Sequence, residues 1–199
     1  MARTQPLILA AAPPPWNSIN THVELWHGCL RSAAQNIQAN GIDLTRSRIA
    51  LDFGPGFYTT TSRNQAESWA WKQYLSLMLA TRAATRPAVL RFRVPLDGLA
   101  QLESLMFVRG DPSHDAFWSF VHHCRLGTTG APRRHLHPSR LPPSDDYDVL
   151  CGPLAAVWPP DGRIAIPNSD QFSFHTPAGV AILNHAIAAG TPNFKVFVL

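Results

Sequence analysis

The sequence contains few cysteines and no long apolar run. Its three cysteines cannot all pair within one chain and show no C-x-x-C spacing, which favours a reducing compartment over a disulfide-stapled secreted domain. The apolar run at residues 7–12 is much shorter than a membrane-spanning helix requires. We therefore expect a cytoplasmic protein that has no membrane partner.

Several catalytic and metal-binding fingerprints are also missing. No G-x-G-x-x-G motif is present and the predicted elements lack a regular β-α-β alternation, so a doubly wound dinucleotide-binding fold is not expected. No G-x-S-x-G elbow is present for Ser-His-Asp chemistry. His122-His123 and His135-x-His137 have only Cys124 as a nearby thiol, so we expect no metal site.

The chain is long enough for one well-buried core, since 45% of its 199 residues are hydrophobic. We expect residues 1–20 to form a flexible N-terminal arm rather than a signal peptide, and residues 21–199 to form a single domain. The net charge of +4 favours an anionic partner such as NAD, nucleic acid or an acidic protein. Much of this charge lies between Arg125 and Arg140, and we expect the Pro-rich segment 126–145 to be a solvated basic loop.

The alternation of apolar and polar residues predicts short strands. At 88–94, the side chains of Leu90, Phe92 and Val94 share one face and two arginines lie on the other. The last strand, 194–199, is apolar on both faces, which predicts a position inside a sheet. The remaining predicted strands are 23–27, 147–150 and 172–175.

Apolar periodicity and cap signals predict helices between these strands. Asn64 and Glu67 form a capping-box pattern, and the helix that follows is expected to bury one broad apolar stripe. Thr176 and Pro177 supply a cap and a first-turn proline for the last helix, which ends at Gly190. The stripe consists of Ala66, Trp69, Ala70, Tyr74, Leu77 and Met78. The other predicted helices run over 32–39 and from Ser113 to near Gly127. Strands and helices together indicate an α+β domain.

Two short motifs in the first third of the chain carry most of the functional information. His27-Gly28 stands at the end of the first predicted strand, and the segment 52–60, DFGPGFYTT, follows later. A neutral imidazole at His27 can donate a hydrogen bond to a hydroxyl while its other nitrogen bonds the backbone. Gly28 leaves room for a ligand beside the main chain. An aromatic face at Tyr58 can stack on a pyridinium for about 0.5–2 kcal/mol.

Each of these residues alone also fits a structural role. His27 fits a hydrogen-bonded histidine at a strand end, and Tyr58 fits a core aromatic with its hydroxyl outside. Asp52 is expected to cap the turn or hold the loop rather than to act in catalysis. Because Gly54 and Gly56 permit a tight turn that delivers Tyr58 onto an extended segment, the combination favours a binding site.

The ordered pair of motifs resembles the NAD-binding core of the ADP-ribosyltransferase superfamily, in its His-Tyr-Glu branch. Within it, the chain is similar to a family of small bacterial domains known as domain of unknown function 3990. The resemblance implies an α+β fold with a split two-layer β-sheet and flanking helices, and NAD bound by His27, Gly28, Phe57, Tyr58 and Thr59. In such enzymes the His bonds the adenosine-side ribose, the Gly main chain holds the nicotinamide amide, and the Tyr stacks on the nicotinamide ring.

The third catalytic position of the superfamily, usually a Glu at the start of a late strand, corresponds to Gln171. The resemblance therefore implies a catalytic set of His27, Tyr58 and Gln171, with Gln171 at the nicotinamide ribose. A Gln accepts a hydrogen bond from a ribose hydroxyl, but it carries no charge and cannot act as a base. Loss of a carboxylate beside a developing oxocarbenium ion can cost about 2.7–4 kcal/mol. Asp170 points to the other face of the strand.

The resemblance implies that NAD is the substrate and that ADP-ribose is transferred to a protein or nucleic-acid acceptor, with release of nicotinamide. Small bacterial relatives imply a toxin or effector delivered into a target cell, and an inhibitory partner. We expect the basic segment from Arg125 to Arg140 to contact the acceptor. Two alternatives stay open: an NAD glycohydrolase, in which water is the acceptor, and a non-catalytic NAD or ADP-ribose-binding module, which the Gln at position 171 favours.

Overall fold

Helices and strands follow one another along the chain without a regular alternation. The computed structural model describes residues 21–48, 51–83, 85–107, 114–125, 147–157, 164–166 and 168–199. The predicted arm at 1–20 and the predicted basic loop at 126–145 lie outside the described residues. In chain order the elements are β1 (His22–Leu30), α1 (Arg31–Asn40), a 3₁₀ turn (Leu44–Arg46), β2 (Phe57–Thr59), α2 (Arg63–Thr81), β3 (Pro87–Pro95), α3 (Leu96–Ala100), β4 (Ser104–Met106), α4 (His114–Arg125), β5 (Val149–Gly152), β6 (Ala155–Val157), β7 (Ile164–Ala165), β8 (Gln171–Phe174), α5 (Pro177–Ala189) and β9 (Phe194–Val198).

Two main sheets organise the described residues. The first has the order β1-β3-β9 and is antiparallel throughout. The second has the order β2-β8-β5-β4, in which only the β4–β5 pair is parallel. A single antiparallel bridge between Trp26 and Thr60 joins β1 to the end of β2, and β6 and β7 form a separate small ribbon. The predicted α+β class is confirmed.

One hydrophobic core is shared by the two main sheets. Leu25 and Phe92 contribute from the first sheet, Val149 and Phe174 from the second, and Leu183 from α5. A second cluster covers the other face of the second sheet, where α4 packs against it. Burial of these side chains is the main stabilising contribution. None of the helices in the described ranges combines the length and apolar character that a membrane crossing requires.

Several local predictions are confirmed. In β3, Leu90, Phe92 and Val94 are buried while the two intervening arginines are partly exposed. The helix α5 begins as expected, because the Thr176 hydroxyl accepts a hydrogen bond from the Gly179 N–H at 3.0 Å and a proline opens the first turn. These signals depend on neighbouring residues only, which is why they can be interpreted without the rest of the fold.

The prediction for α2 was wrong in its cap and in most of its buried face. Ser62 is the N-cap, with its hydroxyl accepting from the Gln65 N–H at 3.3 Å. The fully buried residues of the helix are Ala66 and Ala70, whereas Trp69 is 43% exposed. The small side chains face β1 because the helix approaches the backbone of that strand too closely for larger ones.

The prediction that 194–199 lies inside a sheet was also wrong. Among the described strands, β9 is an outer strand of the order β1-β3-β9. It is apolar on both faces because both faces are covered: Phe194 packs in the shared core, and Phe197 lies 5.8 Å from the Trp26 ring on the opposite face. Coverage of both faces and a central position in the order give the same sequence pattern.

Candidate functional site

The strands β1 and β2 separate at the residues that the motifs single out. Trp26 and Thr60 exchange main-chain hydrogen bonds of 2.7 and 2.9 Å. In antiparallel register the next hydrogen-bonded pair would join Gly28 to Tyr58, but this pair does not form. Instead the Tyr58 carbonyl accepts a hydrogen bond from Nδ1 of His27 at 2.6 Å. The result is a gap between two strand edges, bordered by main-chain groups of both.

The His27 ring is held at this gap in a defined tautomer. Because a carbonyl oxygen only accepts hydrogen bonds, Nδ1 must carry the hydrogen that bonds Tyr58. Burial lowers the pKa of His27, and the hydrogen bond to Tyr58 opposes this shift without reversing it. The ring is therefore neutral at pH 7 and its Nε2 is an acceptor. We expected this nitrogen to donate to a ligand hydroxyl; the tautomer makes the hydroxyl the donor instead.

Stacking also orients the His27 ring. Its centroid lies 4.3 Å from that of Phe57, with the planes 27° apart. Phe57 in turn meets Phe92 edge-on at 5.9 Å. The adjacent Thr59 is 4% exposed and its hydroxyl donates to the Phe172 carbonyl at 3.3 Å. Phe57 and Thr59, for which the resemblance implied NAD binding, thus point to the core side of β2, where Phe57 supports the His27 ring.

Gly28 is required by the packing of α2 on β1. A Cβ at this position would lie 2.0 Å from the Ala66 carbonyl oxygen, a main-chain atom that cannot move aside alone. The Gly28 carbonyl accepts a hydrogen bond from Nε2 of Gln73 at 3.1 Å. The glycine at this position, which the sequence explained by the approach of a ligand, is thus also explained by the approach of α2.

Tyr58 is held by its hydroxyl. The hydroxyl donates to the Gly54 carbonyl at 2.6 Å and accepts from the Phe53 N–H at 3.0 Å. Gly54 occupies the turn with φ of +79°, a conformation that favours glycine. Burial raises the pKa of Tyr58 well above its ordinary value, so the phenol stays protonated. With both hydrogen-bonding capacities of the hydroxyl in use, a ligand can use only the ring.

Gln171 lies on the same face of the second sheet as Tyr58. Tyr58 is opposite Ser173 across the β2–β8 pair, and residues two apart on a strand share a face. Gln171 is 4% exposed. Its Nε2 donates to Oδ2 of Asp52 at 2.8 Å and to the Pro153 carbonyl at 2.9 Å. The third predicted catalytic residue is therefore fixed by its amide nitrogen.

Asp52 is the centre of a buried polar network that the sequence did not reveal. Its Oδ1 accepts from Nε of Arg125 at 2.7 Å and from Nη2 of the same guanidinium. Its Oδ2 accepts from the Ala155 N–H at 3.0 Å as well as from Gln171. Arg125 also donates to the Ala155 carbonyl at 2.8 Å. The expectation that Asp52 holds a loop identified its type of role but none of these partners.

Asp170 holds the start of β8 against the end of β2. Its carboxylate accepts from the Thr60 hydroxyl at 2.6 Å, from the Thr61 N–H at 2.8 Å and from the Thr61 hydroxyl. The Gln65 carboxamide donates to the Asp170 carbonyl at 2.6 Å. These contacts give Asp170 a structural role.

The structure therefore brings the His27 ring, beside Gly28, against the main chain of Tyr58. It places Gln171 on the sheet face of the Tyr58 ring, opposite the face of Phe57. Within the described part of the chain, no group of three or more His, Cys, Asp or Glu side chains could hold a metal ion.

Comparison with known proteins assigns the chain to a family. No curated protein matches the chain. A match to one family covers His27, Gly28, Asp52, Tyr58 and Arg125 and ends before Gln171. That match spans residues 23–157, more than half of the chain, and the chain therefore belongs to the family described as protein of unknown function (DUF3990).

Proposed function

We propose that the protein is an enzyme of the ADP-ribosyltransferase superfamily that transfers ADP-ribose from NAD to a macromolecular acceptor. Nicotinamide leaves with the electron pair of its bond to the ribose C1′. The acceptor forms a new bond to C1′, and its proton passes to solvent. Small bacterial relatives support a role as a toxin or effector, by analogy only.

The observation that carries this proposal is the separation of β1 and β2 at Gly28 and Tyr58. The two strands are in register at the Trp26–Thr60 bridge, and the next pair in that register does not form. A gap of this kind leaves main-chain groups without a strand partner, and a ligand that can donate and accept side by side, as a carboxamide does, can pair with them. Two sheets that meet at one bridge also suit the split two-layer sheet of the superfamily.

A second observation supports recognition of a carboxamide. The Gly28 carbonyl is bonded to the primary carboxamide of Gln73 at 3.1 Å, and nicotinamide carries the same functional group. A carbonyl oxygen has two lone pairs, so a ligand amide would join or replace this side chain. His27 would then accept a hydrogen bond from a ribose hydroxyl at Nε2, and Tyr58 would offer its ring.

One observation favours a different function, a non-catalytic module that binds NAD or ADP-ribose. Gln171 carries no charge, and the nearest buried carboxylate, Asp52, is occupied by Arg125, Gln171 and a main-chain N–H. Neither group is placed to deprotonate an acceptor. Catalysis would depend on positioning and on the leaving ability of nicotinamide.

Incubation of the purified protein with NAD labelled in the adenine, with and without cell lysate, tests these possibilities. Transfer predicts label on a macromolecule and nicotinamide release that depends on lysate; protease and nuclease digestion then identify the acceptor class. Fast release without lysate would indicate a glycohydrolase instead. Binding of NAD without any release would support the non-catalytic module. His27→Asn, which removes the Nε2 acceptor proposed for the ribose hydroxyl, should weaken NAD binding, and His185→Asn, at an exposed position on α5, is its matched control.

A further inference from the structure

We infer that Asp52 is a positioning residue, which holds the Gln171 carboxamide so that its oxygen is presented to the reacting ribose. The inference rests on the proposed function for the identity of the ligand. The contact itself can be tested without any ligand. Neither the motifs nor the family description assign this positioning role to the Asp52 carboxylate.

The orientation of the carboxamide follows from its partners. A primary amide has two N–H hydrogens, and both partners of Gln171 Nε2, a carboxylate oxygen of Asp52 and the Pro153 carbonyl, can only accept. A flipped amide would place its oxygen against two acceptors, which is repulsive. Within the described residues both hydrogen bonds of Gln171 use Nε2, so Oε1 is the atom that can accept from a ligand hydroxyl.

The Asp52 carboxylate is in turn fully committed. Its two oxygens accept four hydrogen bonds, two from Arg125, one from the Ala155 N–H and one from Gln171. Four is about the number of acceptor sites that a carboxylate offers. Asp52 is 7% exposed, so these bonds are not exchanged easily for water. An Asn at this position would keep its oxygen toward the charged Arg125 and set its amide nitrogen against the two other donors, the Ala155 N–H and Gln171 Nε2.

The network also explains why a Glu at position 171 would not restore the usual chemistry. A second carboxylate there would face Oδ2 of Asp52 and the Pro153 carbonyl at the distances now spanned by hydrogen bonds. Like charges at such separations disfavour each other strongly in a buried site. In this chain, therefore, Gln is the residue that Asp52 accepts, and Gln171→Glu is expected to lower nicotinamide release at least about tenfold.

The first test measures the contact by NMR on the full chain without ligand. The side-chain amide hydrogens of Gln171, assigned through their loss in Gln171→Met, should exchange with water at least about tenfold more slowly than those of the exposed Gln101. In Asp52→Asn this protection should be lost. Exchange in the wild type as fast as at Gln101 would overturn the inference, even if every Asp52 variant failed to fold.

The second test measures the role by nicotinamide release from NAD in the presence of cell lysate, which supplies the acceptor. Gln171→Met and Asp52→Asn should each lower kcat about tenfold, and the double variant should lose no more than Asp52→Asn alone. A purely structural Asp52 would instead give losses that multiply. Multiplying losses, or a Gln171→Glu variant faster than the wild type, would overturn the inference. Gln101→Met, at an exposed position, controls for the substitution itself.

The two tests separate the two ways of failing. A wild type that protects the Gln171 amide but releases no nicotinamide would overturn the proposed function and support the contact. A wild type that releases nicotinamide with an unprotected Gln171 amide would support the function and overturn the positioning role.

Discussion

At one end of the candidate site, which we call the His27 end (His27, Gly28, Tyr58 and Gln73), side chains bond main-chain carbonyls of neighbouring strands. At the other, the Gln171 end (Asp52, Arg125, Ala155 and Gln171), a partly buried ion pair organises groups from four separate segments. Neutral hydrogen bonds contribute about 0.5–1.5 kcal/mol each, whereas a buried charge that loses its partner costs much more. The two ends should therefore respond very differently to substitution.

Arg125→Met at the Gln171 end should have the largest effect. It removes the cation, which is 25% exposed, from a carboxylate whose side chain is 8% exposed. Breaking a fully buried pair from one side typically costs about 3–5 kcal/mol, so we expect a loss near the lower end of that range. Denaturant unfolding followed by tryptophan fluorescence measures this loss. The matched control is Arg46→Met, which removes an ion pair whose side chains are 69% and 47% exposed, and which should change stability little. Equal losses in the two variants would contradict the contrast.

His27→Asn at the His27 end should have a smaller effect that depends on pH. Burial lowers the pKa of His27 below its ordinary value of 6.5, so between the two values the unfolded chain binds more protons than the folded protein. The stability contributed by neutral His27 is present above about pH 6.5 and is lost as pH falls toward the folded-state pKa. Asn keeps a donor for the Tyr58 carbonyl but does not titrate. The unfolding free energy of His27→Asn should therefore vary less between about pH 7 and pH 5 than that of the wild type.

The difference in pH dependence between wild type and His27→Asn measures how far burial lowers the pKa of the His27 ring. Each unit by which the pKa is lowered corresponds to about 1.4 kcal/mol lost at acid pH. Unfolding free energies of wild type and His27→Asn, measured at several pH values, give the difference directly. His185→Asn on the exposed side of α5 should retain the wild-type dependence. Identical curves for wild type and His27→Asn would mean that the ring ionises as readily in the folded protein as in the unfolded chain.

The same contrast explains what could be predicted from the sequence. The motifs of the His27 end are local: His27 and Gly28 are adjacent, and Tyr58 follows its turn directly, so their types and order already point to a site. The Gln171 end joins residues that are 73 and 119 positions apart. No short-range pattern records that Arg125 pairs with Asp52, and its place beside a basic segment led to an assignment to acceptor contact. The buried face of α2 was predicted wrongly for a related reason. The close approach of the helix to the main chain of β1 allows only small side chains between them, and helical periodicity does not record this.

Gln73→Ala should have the smallest effect, and its sign tests whether the His27 end recognises a carboxamide. The Gln73 amide already bonds the Gly28 carbonyl, and a ligand amide that replaces it, rather than joining it at the second lone pair, must compete with it for that oxygen. Removing one competing neutral hydrogen bond should strengthen nicotinamide binding by up to about tenfold, as measured by calorimetry. ADP-ribose lacks the carboxamide, so its affinity should stay unchanged, as should both affinities in the exposed α1 variant Gln35→Ala. Equal gains for nicotinamide and ADP-ribose would mean that Gln73 merely narrows the gap, and weaker nicotinamide binding would mean that it helps to hold the ligand. A gain for nicotinamide without a gain for ADP-ribose depends on the chemistry of the amide. This small effect therefore discriminates better between a nicotinamide site and a general crevice than a large loss of stability would.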